Sequence, residues 1–308
     1  MIEQSLRERE RRNLKLDLRL CFRCLAGAAT LLLLCPAATV HAAEPDSTST
    51  PLKLVQEMVR QEQLPHPDRY EYWNEERSER TGGHLWREHI LETGRGKLAI
   101  LEQVDGQPLS PDRAASERRR LDAIVRDPAS FDRFEAAQQN DELRARQMLD
   151  SLPRCFILEN VTLNNGVWRI EFRPNPAYSP TSMAEKVLHG MSGWFSIDDK
   201  QKRLIHLEGH LASNVSIGFG LINILAGSNF SSDRAEADGN WRMTRVHTDI
   251  RGHALLFKTI THNTNVHRLD FHYLDASLSI PEAVSILESG SHAADAQVAT
   301  VNRDHASR

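Results

Sequence analysis

The sequence has little cysteine, no excess of basic residues and few aromatic residues, and two of these shortages exclude whole classes of protein. Three of its four cysteines lie before position 36, so the remaining chain keeps only Cys155 and forms no internal disulfide. A net charge of -4 leaves no basic surplus to neutralise a phosphate backbone, so we expect no nucleic-acid partner. The hydrophobic content of 40% and the charged content of 26% are typical of a globular fold.

Long apolar runs are also scarce, and the one sustained run covers residues 25 to 38. Its fourteen residues are too few to span a bilayer, but they match the apolar region of a signal peptide that follows a basic segment. Pro36 breaks the run, and a small-residue cleavage site follows near Ala42 or Ala43. We therefore predict that residues 1 to 43 are a signal peptide and that the mature protein is periplasmic or secreted. An uncleaved membrane anchor is the alternative.

The mature chain is predicted to begin with a flexible segment and a short helix within residues 44 to 68. From 69 to 280, short runs with a two-residue period alternate with turn signals such as Asn165-Gly166. No strand-helix-strand rhythm is present, so we predict one α+β domain over this range. Its curved antiparallel sheet is expected to form an incomplete β-barrel that short helices plug or cover. The chain from 281 to 308 is predicted to be a disordered polar tail.

A densely charged segment interrupts the strand pattern between residues 110 and 150. Ser110-Pro111 and Asp127-Pro128 are typical helix starts, so we predict a helical insertion of two helices. Thinly spaced apolar residues indicate that most of its surface is solvated. The insertion is either a charged arm that docks a partner or simply a solvated addition to the fold.

One predicted strand face is apolar, and the sequence shows few apolar helices that could cover it. In the strand near residue 207, leucine and isoleucine occupy one face while histidine and glutamate occupy the other. We therefore predict that the sheet curls on itself or that a ligand or partner occupies this face. The residues predicted to line the ligand-binding face are Trp168, Ile170, Phe172, Phe195, Ile205, Leu207, Leu211 and Ile217.

Residues 182 to 191 are predicted to form a helix whose apolar side contains two methionines. Met183, Val187, Leu188 and Met191 recur at helical spacing, and methionine side chains adapt to ligands of variable shape. Flanking prolines and a glycine would let this helix move as a unit, so we predict a lid over the ligand-binding face. A permanent core helix is the alternative.

No compact catalytic or metal-binding motif occurs in the sequence. Residues 190 to 193 match a nucleophile elbow only loosely, because a strand follows where the elbow requires a helix. Among the histidines, only His247 and His253, together with Asp249, have a spacing that could converge on a metal ion. We therefore predict no enzyme activity, no metal and no cofactor.

Several turn and strand segments resemble one family. They are Tyr70-Glu71-Tyr72, residues 104 to 110 leading into the charged helix, residues 193 to 198 and residues 254 to 258. They are similar to bacterial envelope proteins related to the Lol lipoprotein-localisation carriers and the outer-membrane lipoprotein-sorting proteins, over nearly the whole mature chain. The resemblance implies an incomplete antiparallel β-barrel whose concave face holds acyl chains.

The resemblance and the apolar face together predict a non-enzymatic envelope carrier for lipid or lipoprotein acyl chains, with peripheral membrane association. The alternative is an envelope scaffold or interaction protein that docks through residues 110 to 150 and has a fully packed core. A carrier requires an apolar site that opens, whereas a scaffold does not.

Overall fold

The computed structural model describes residues 49 to 64, 69 to 217, 222 to 254, 258 to 274 and 277 to 290. The predicted signal peptide and residues 291 to 308 of the predicted tail lie outside this range. The helices are α1 (Ser49–Glu62), α2 (Pro111–Arg126), α3 (Pro128–Cys155), α4 (Met183–His189) and α5 (Ile280–Ser289). No helix within these residues is both long and apolar enough to cross a membrane.

Strands occur along most of the described chain. They are β1 (Arg69–Arg77), β2 (Trp86–Thr93), β3 (Gly96–Val104), β4 (Gln107–Pro108), β5 (Phe156–Asn164), β6 (Val167–Pro174), β7 (Met191–Asp198), β8 (Leu204–Leu211), β9 (Val215–Ile217), β10 (Ile222–Ile224), β11 (Asn229–Ala237), β12 (Asn240–Ala254) and β13 (Lys258–Leu274). Helices and antiparallel strands occur together, so the predicted α+β class is confirmed.

The chain divides into two compact units. Of the described residues, the first unit contains those up to 64, those from 138 to 227, those from 252 to 254 and Lys258, and the second unit contains the others. In the first unit the strand order is β8-β7-β6-β5, and a β9-β10 hairpin pairs with the last residues of β12. In the second unit the order is β4-β3-β2-β1-β13-β12-β11. In neither order does the last strand pair with the first. The antiparallel sheet is therefore open and not closed into a barrel, as predicted.

The hairpin between β5 and β6 forms where the sequence predicts it. Asn165 has a φ of 50° and Gly166 a φ of 77°, the left-handed values that a tight two-residue turn requires. This turn aligns Leu163 with Trp168 and sets the register of the strands that follow.

Helix α1 forms within the segment 44 to 68, where the sequence predicts a short helix, and it has a buried apolar side. Leu54, Val55, Met58 and Val59 are all buried, and the helix packs near β5. Within the first unit, α1 is thus one of the few apolar helices that the sequence predicts. The i, i+1, i+4, i+5 spacing of these four residues is the signal that identifies the apolar side of a helix.

The C-terminal boundary of the fold also differs from the prediction. Residues 280 to 289, of which 281 to 289 were predicted as disordered tail, form α5. Ser279 and Glu282 form a capping box at its start, and Ile280, Val284 and Leu287 are buried in a core with residues of β2 and β3. The prediction is wrong here because it extended the polar composition found beyond residue 290 to the residues before it, which form a short apolar helix.

The charged insertion forms the two predicted helices, α2 and α3. Ser110 caps α2, with its side-chain oxygen accepting a hydrogen bond from the Arg113 amide. Leu121 of α2 and Phe131 of α3 belong to the core that α5 completes. The start of the insertion is therefore part of the packed fold, while Phe134 on the same helix remains 57% exposed.

Two segments after β8 differ from what their sequence pattern favours. The mostly apolar run from 215 to 225 favours one strand, but residues 215 to 217 and 222 to 224 form the separate strands β9 and β10, which pair with each other. Strand β11 was not predicted because its sequence is polar and lacks clear alternation. Asp238-Gly239, with φ values of 51° and 79°, forms the tight turn that pairs β11 with β12.

Candidate functional site

Strands β6, β7 and β8 bring most of the predicted ligand-binding residues to one face. Cross-strand partners in an antiparallel sheet point to the same side, and Ile170 pairs with Phe195, which in turn pairs with Leu207. Alternation along each strand then adds the remaining members. The predicted residues that share this face, which we call the apolar face, are Trp168, Ile170, Phe172, Phe195, Leu207 and Leu211.

Two predicted residues occupy other positions. Ile205 lies where the register between β7 and β8 shifts, and it is half-buried. Ile217 is buried on β9, which pairs with β10 and not with β8. The sequence pattern favours one long strand over residues 215 to 225, but Ile217 lies on the separate short strand β9.

The centre of the apolar face is an aromatic cluster that is closed to solvent. The ring centroids of Phe156 and Phe172 are 4.6 Å apart, and those of Phe172 and Phe195 are 5.9 Å apart. Phe195 is 2% exposed and Ile170 is fully buried. Phe156 was missed by the sequence analysis, although it is the first residue of β5 and faces Pro174 across the hairpin. The apolar face is therefore packed within the protein, and a ligand could reach it only after side chains or a helix move.

The predicted lid helix exists but is shorter than expected. Helix α4 ends at His189, and Met191 is the first residue of β7, so the prediction that Met191 belongs to the helix is wrong. Val187 and Leu188 are buried, whereas Met183 is 37% exposed. The helix thus turns one apolar edge inward.

Glu185 holds α4 and the loop before it together. Its carboxylate accepts hydrogen bonds from the Thr181 hydroxyl at 2.7 Å, the Thr181 amide at 2.6 Å, the Tyr178 hydroxyl at 3.0 Å and the Ser182 amide at 3.3 Å. These hydrogen bonds, those of Thr181 above all, hold the pKa of Glu185 below its ordinary value of 4.5. Burial and the bond to Glu185 raise the pKa of Tyr178 to about 12.

We expect Glu185→Ala to lower the free energy of unfolding by about 1 kcal/mol at pH 7, because it removes a capping box. The pKa of Glu185 is lowered in the folded protein, so its contribution is complete above pH 4.5 and is lost as the pH falls through the folded-state value. The difference between the two proteins should therefore shrink on acidification, as urea titrations between pH 3 and pH 7 would measure.

Glu282→Ala is the matched control, because Glu282 forms the equivalent capping box in α5. Both variants should lose stability in the same pH range, since the pKa of Glu282 is also lowered. Only Glu185→Ala should bring the pKa of Tyr178 down towards 10 in an absorbance titration. A Tyr178 titration that is identical in both variants would contradict the assigned contact.

The opposite face of the same strands is polar, as the alternation predicts. The guanidinium carbon of Arg169 lies 3.7 Å from the centroid of the Trp194 ring, and the ring of His206 stacks on Trp194 at 4.1 Å. The Nε2 of His206 is 3.6 Å from a carboxylate oxygen of Glu208. Cationic and aromatic side chains on β6, β7 and β8 therefore stack on one another across this face.

The geometry offers no support for the catalytic motifs considered from the sequence. Ser192 lies in β7 directly after α4, the reverse of the strand-to-helix order that a nucleophile elbow needs. Cys155 is buried, and burial raises the pKa of its thiol, which disfavours the reactive thiolate. Within the described residues, no three His, Cys, Asp or Glu side chains are grouped so that they could hold a metal ion.

The second unit contains a charged cluster between β1 and β2, in which Asn74 and Glu88 are buried while Arg80 is exposed. Arg80 donates a hydrogen bond of 2.9 Å to Glu88 and also pairs with Glu76, while Asn74 donates to Glu88 at 3.1 Å. Burial opposes ionisation of Glu76, but its bonds with Arg80 outweigh this and lower its pKa. These groups satisfy one another and anchor the turn that contains Arg80.

Comparisons with family models, with curated proteins and with solved structures give no match. The resemblance to Lol-type carriers therefore stays a prediction. The apolar face and the helices of the first unit are therefore the features that bear on function.

Proposed function

We propose that this protein is a non-enzymatic carrier of lipid or lipoprotein acyl chains, and that the apolar face of the first unit is its binding site. The single observation that carries the proposal is an aromatic and aliphatic face of β6, β7 and β8 whose central side chains are buried, in a unit where α1 contacts β5 and α4 contacts β9. Separate helices can move away without breaking strand hydrogen bonds, so such a cover can open. The packed conformation is then the ligand-free, closed form.

The side chains that close this unit favour an adaptable interior. Met58 of α1 is fully buried, and Met191 at the start of β7 is 6% exposed. Methionine side chains are unbranched and polarisable, so they can fill space beside chains of different length. Half-buried Trp168 and Leu207 extend the apolar face towards solvent, which gives an acyl chain a first contact.

The predicted export and peripheral membrane association are part of this proposal, because a carrier of acyl chains works between membranes. Helix α4 is proposed to be the lid, with Val187 and Leu188 as its inward edge and Met183 at its exposed start. The alternative scaffold function, with docking through residues 110 to 150, stays a prediction. Deleting those residues is not a clean test of it, because Leu121 and Phe131 belong to the core.

We expect protein purified from membranes under native conditions to carry lipid that native mass spectrometry detects as a mass increment. Leu207→Gln should weaken binding of a fluorescent fatty acid roughly tenfold, because an amide in the apolar site has no partner when the acyl chain covers it. Leu207 is half-buried, so the change places little strain on the empty protein.

Glu208→Gln is the matched control, because the neighbouring residue of β8 is exposed on the polar face. It should bind the fatty acid as the wild type does. A wild-type protein that never retains lipid, and whose thermal stability does not rise with fatty acids or lipopeptides, would rule out the carrier function.

A further inference from the structure

Met191 fills a gap in the apolar face that the sheet itself leaves open. Gly193 pairs with Gly209 across β7 and β8, so two neighbouring positions of this face carry no side chain. The Cε methyl of Met191 lies 2.8 Å from the point where a Cβ on Gly209 would stand, and the Cζ of Phe172 lies 3.4 Å from it. The space over Gly209 is therefore occupied by two side chains from neighbouring positions.

These two side chains differ in how easily they can leave. Phe172 is held in the aromatic cluster between Phe156 and Phe195 and turns about only two bonds. Met191 has three rotatable bonds beyond its Cα, and its end is a flexible thioether. Its backbone is fixed by pairing with Leu211, so the side chain can withdraw while the strand stays in place. Of the two side chains that occupy the space over Gly209, Met191 is thus the one that can move away.

We propose that Met191 is an internal plug, and that its side chain occupies the position that the acyl chain takes in the loaded protein. This inference rests on the proposed carrier function and adds a determinant of ligand choice to it. The withdrawn side chain is itself a linear, unbranched chain of four heavy atoms, so the space it vacates suits a linear acyl chain. The flanking rings of Phe172 and Phe195 restrict the width of that space, which selects against bulky ring systems.

The plug makes opposite predictions for two substitutions. Met191→Ala removes the competing side chain and leaves a cavity over Gly209, so a linear fatty acid should bind about tenfold more tightly or better. Gly209→Ala adds a methyl group at the floor of that space, so binding should weaken about tenfold. The added methyl meets mainly the far end of Met191 and the edge of Phe172, so this variant should still fold.

The experiment measures the affinity of dansyl-undecanoic acid for each protein by fluorescence, with palmitic acid as the competitor and thermal unfolding as the check on folding. Met191→Leu is a second variant at the plug, because a branched side chain of similar volume should withdraw less readily and slow uptake of the probe. Leu287→Ala is the control for lost stability, since this buried residue of α5 lies in the second unit. It should bind the probe as the wild type does.

Tighter binding by Met191→Ala, together with weaker binding by Gly209→Ala, is the expected result. Suppose that the wild type binds the probe and that Met191→Ala binds it equally well or more weakly. The proposed role of Met191 as a plug is then wrong, while the carrier function stands. If neither the wild type nor Met191→Ala binds the probe, the carrier function fails, and the plug fails with it. If Leu287→Ala also binds the probe more tightly than the wild type, a loss of stability alone is sufficient to tighten binding. This result too would contradict the proposed role of Met191 as a plug.

Discussion

Replacing Gly193 with alanine is expected to lower the free energy of unfolding by about 3 kcal/mol or more, because it forces a side chain against the backbone of a neighbouring strand. A Cβ at this position would overlap the carbonyl oxygen of Glu208 and stand 2.8 Å from the Cα of Gly209. Backbone atoms cannot rotate away as a side chain can. Strands β7 and β8 would have to separate in the middle of the sheet.

Gly209→Ala is the matched control for this prediction, since Gly209 is the cross-strand partner of Gly193. Its new methyl would meet the mobile end of Met191, so we expect a loss of only about 1 kcal/mol. Urea titrations followed by circular dichroism would measure both changes. Equal losses for the two variants would contradict the close approach of β8 to Gly193.

The second large effect is expected at the buried ion pair that ties α1 to β8. Glu62→Ala should lower the free energy of unfolding by about 3–5 kcal/mol, because it leaves the guanidinium of Arg203 buried without its carboxylate. A carboxylate oxygen of Glu62 lies 3.0 Å from the Nε of Arg203 and accepts a hydrogen bond of 3.1 Å from the Leu204 amide. Arg203 also donates a 3.1 Å hydrogen bond to the Gln61 carbonyl.

Two further variants separate burial from charge in this prediction. Glu159→Ala breaks an ion pair with Arg173 whose side chains are 40% and 49% exposed, and it should cost less than about 1 kcal/mol. The double variant Glu62→Leu with Arg203→Met should recover part of the stability lost in Glu62→Ala, since no charge is left buried. Thermal and urea unfolding would measure these values. A loss at Glu62 as small as that at Glu159 would refute the assignment of a tightly buried pair.

Local signals in the sequence predicted individual elements well. The turn at Asn165-Gly166 and the helix starts at Ser110 and Ser182 formed as expected, because each depends on residues within a few positions. The alternation in β6 and β8 correctly separated the apolar face from the polar face. Strand β11 and helix α5 were missed even though Asp238-Gly239 and the Ser279 capping box mark them in the same local way.

The candidate site could be predicted only in part, because it combines residues far apart in sequence. Six of the eight expected residues share the apolar face, as strand alternation implies. Local spacing marks the apolar side of α1 but not the strand that it contacts, and it did not indicate that Ile217 would lie on a separate hairpin. Met191 fits a helical pattern by spacing, yet it begins β7 because pairing with Leu211 outweighs that pattern.

The sequence by itself determined the α+β class, the antiparallel pairing of neighbouring strands and the division of β6 and β8 into two faces. These features follow from side-chain period and turn chemistry, which act over short stretches of chain. Only the tertiary structure decided that Met191 lies over Gly209 and that Glu62 reaches the Leu204 amide, 142 residues away. Register and helix docking decide such contacts, and both depend on the packing of the whole unit.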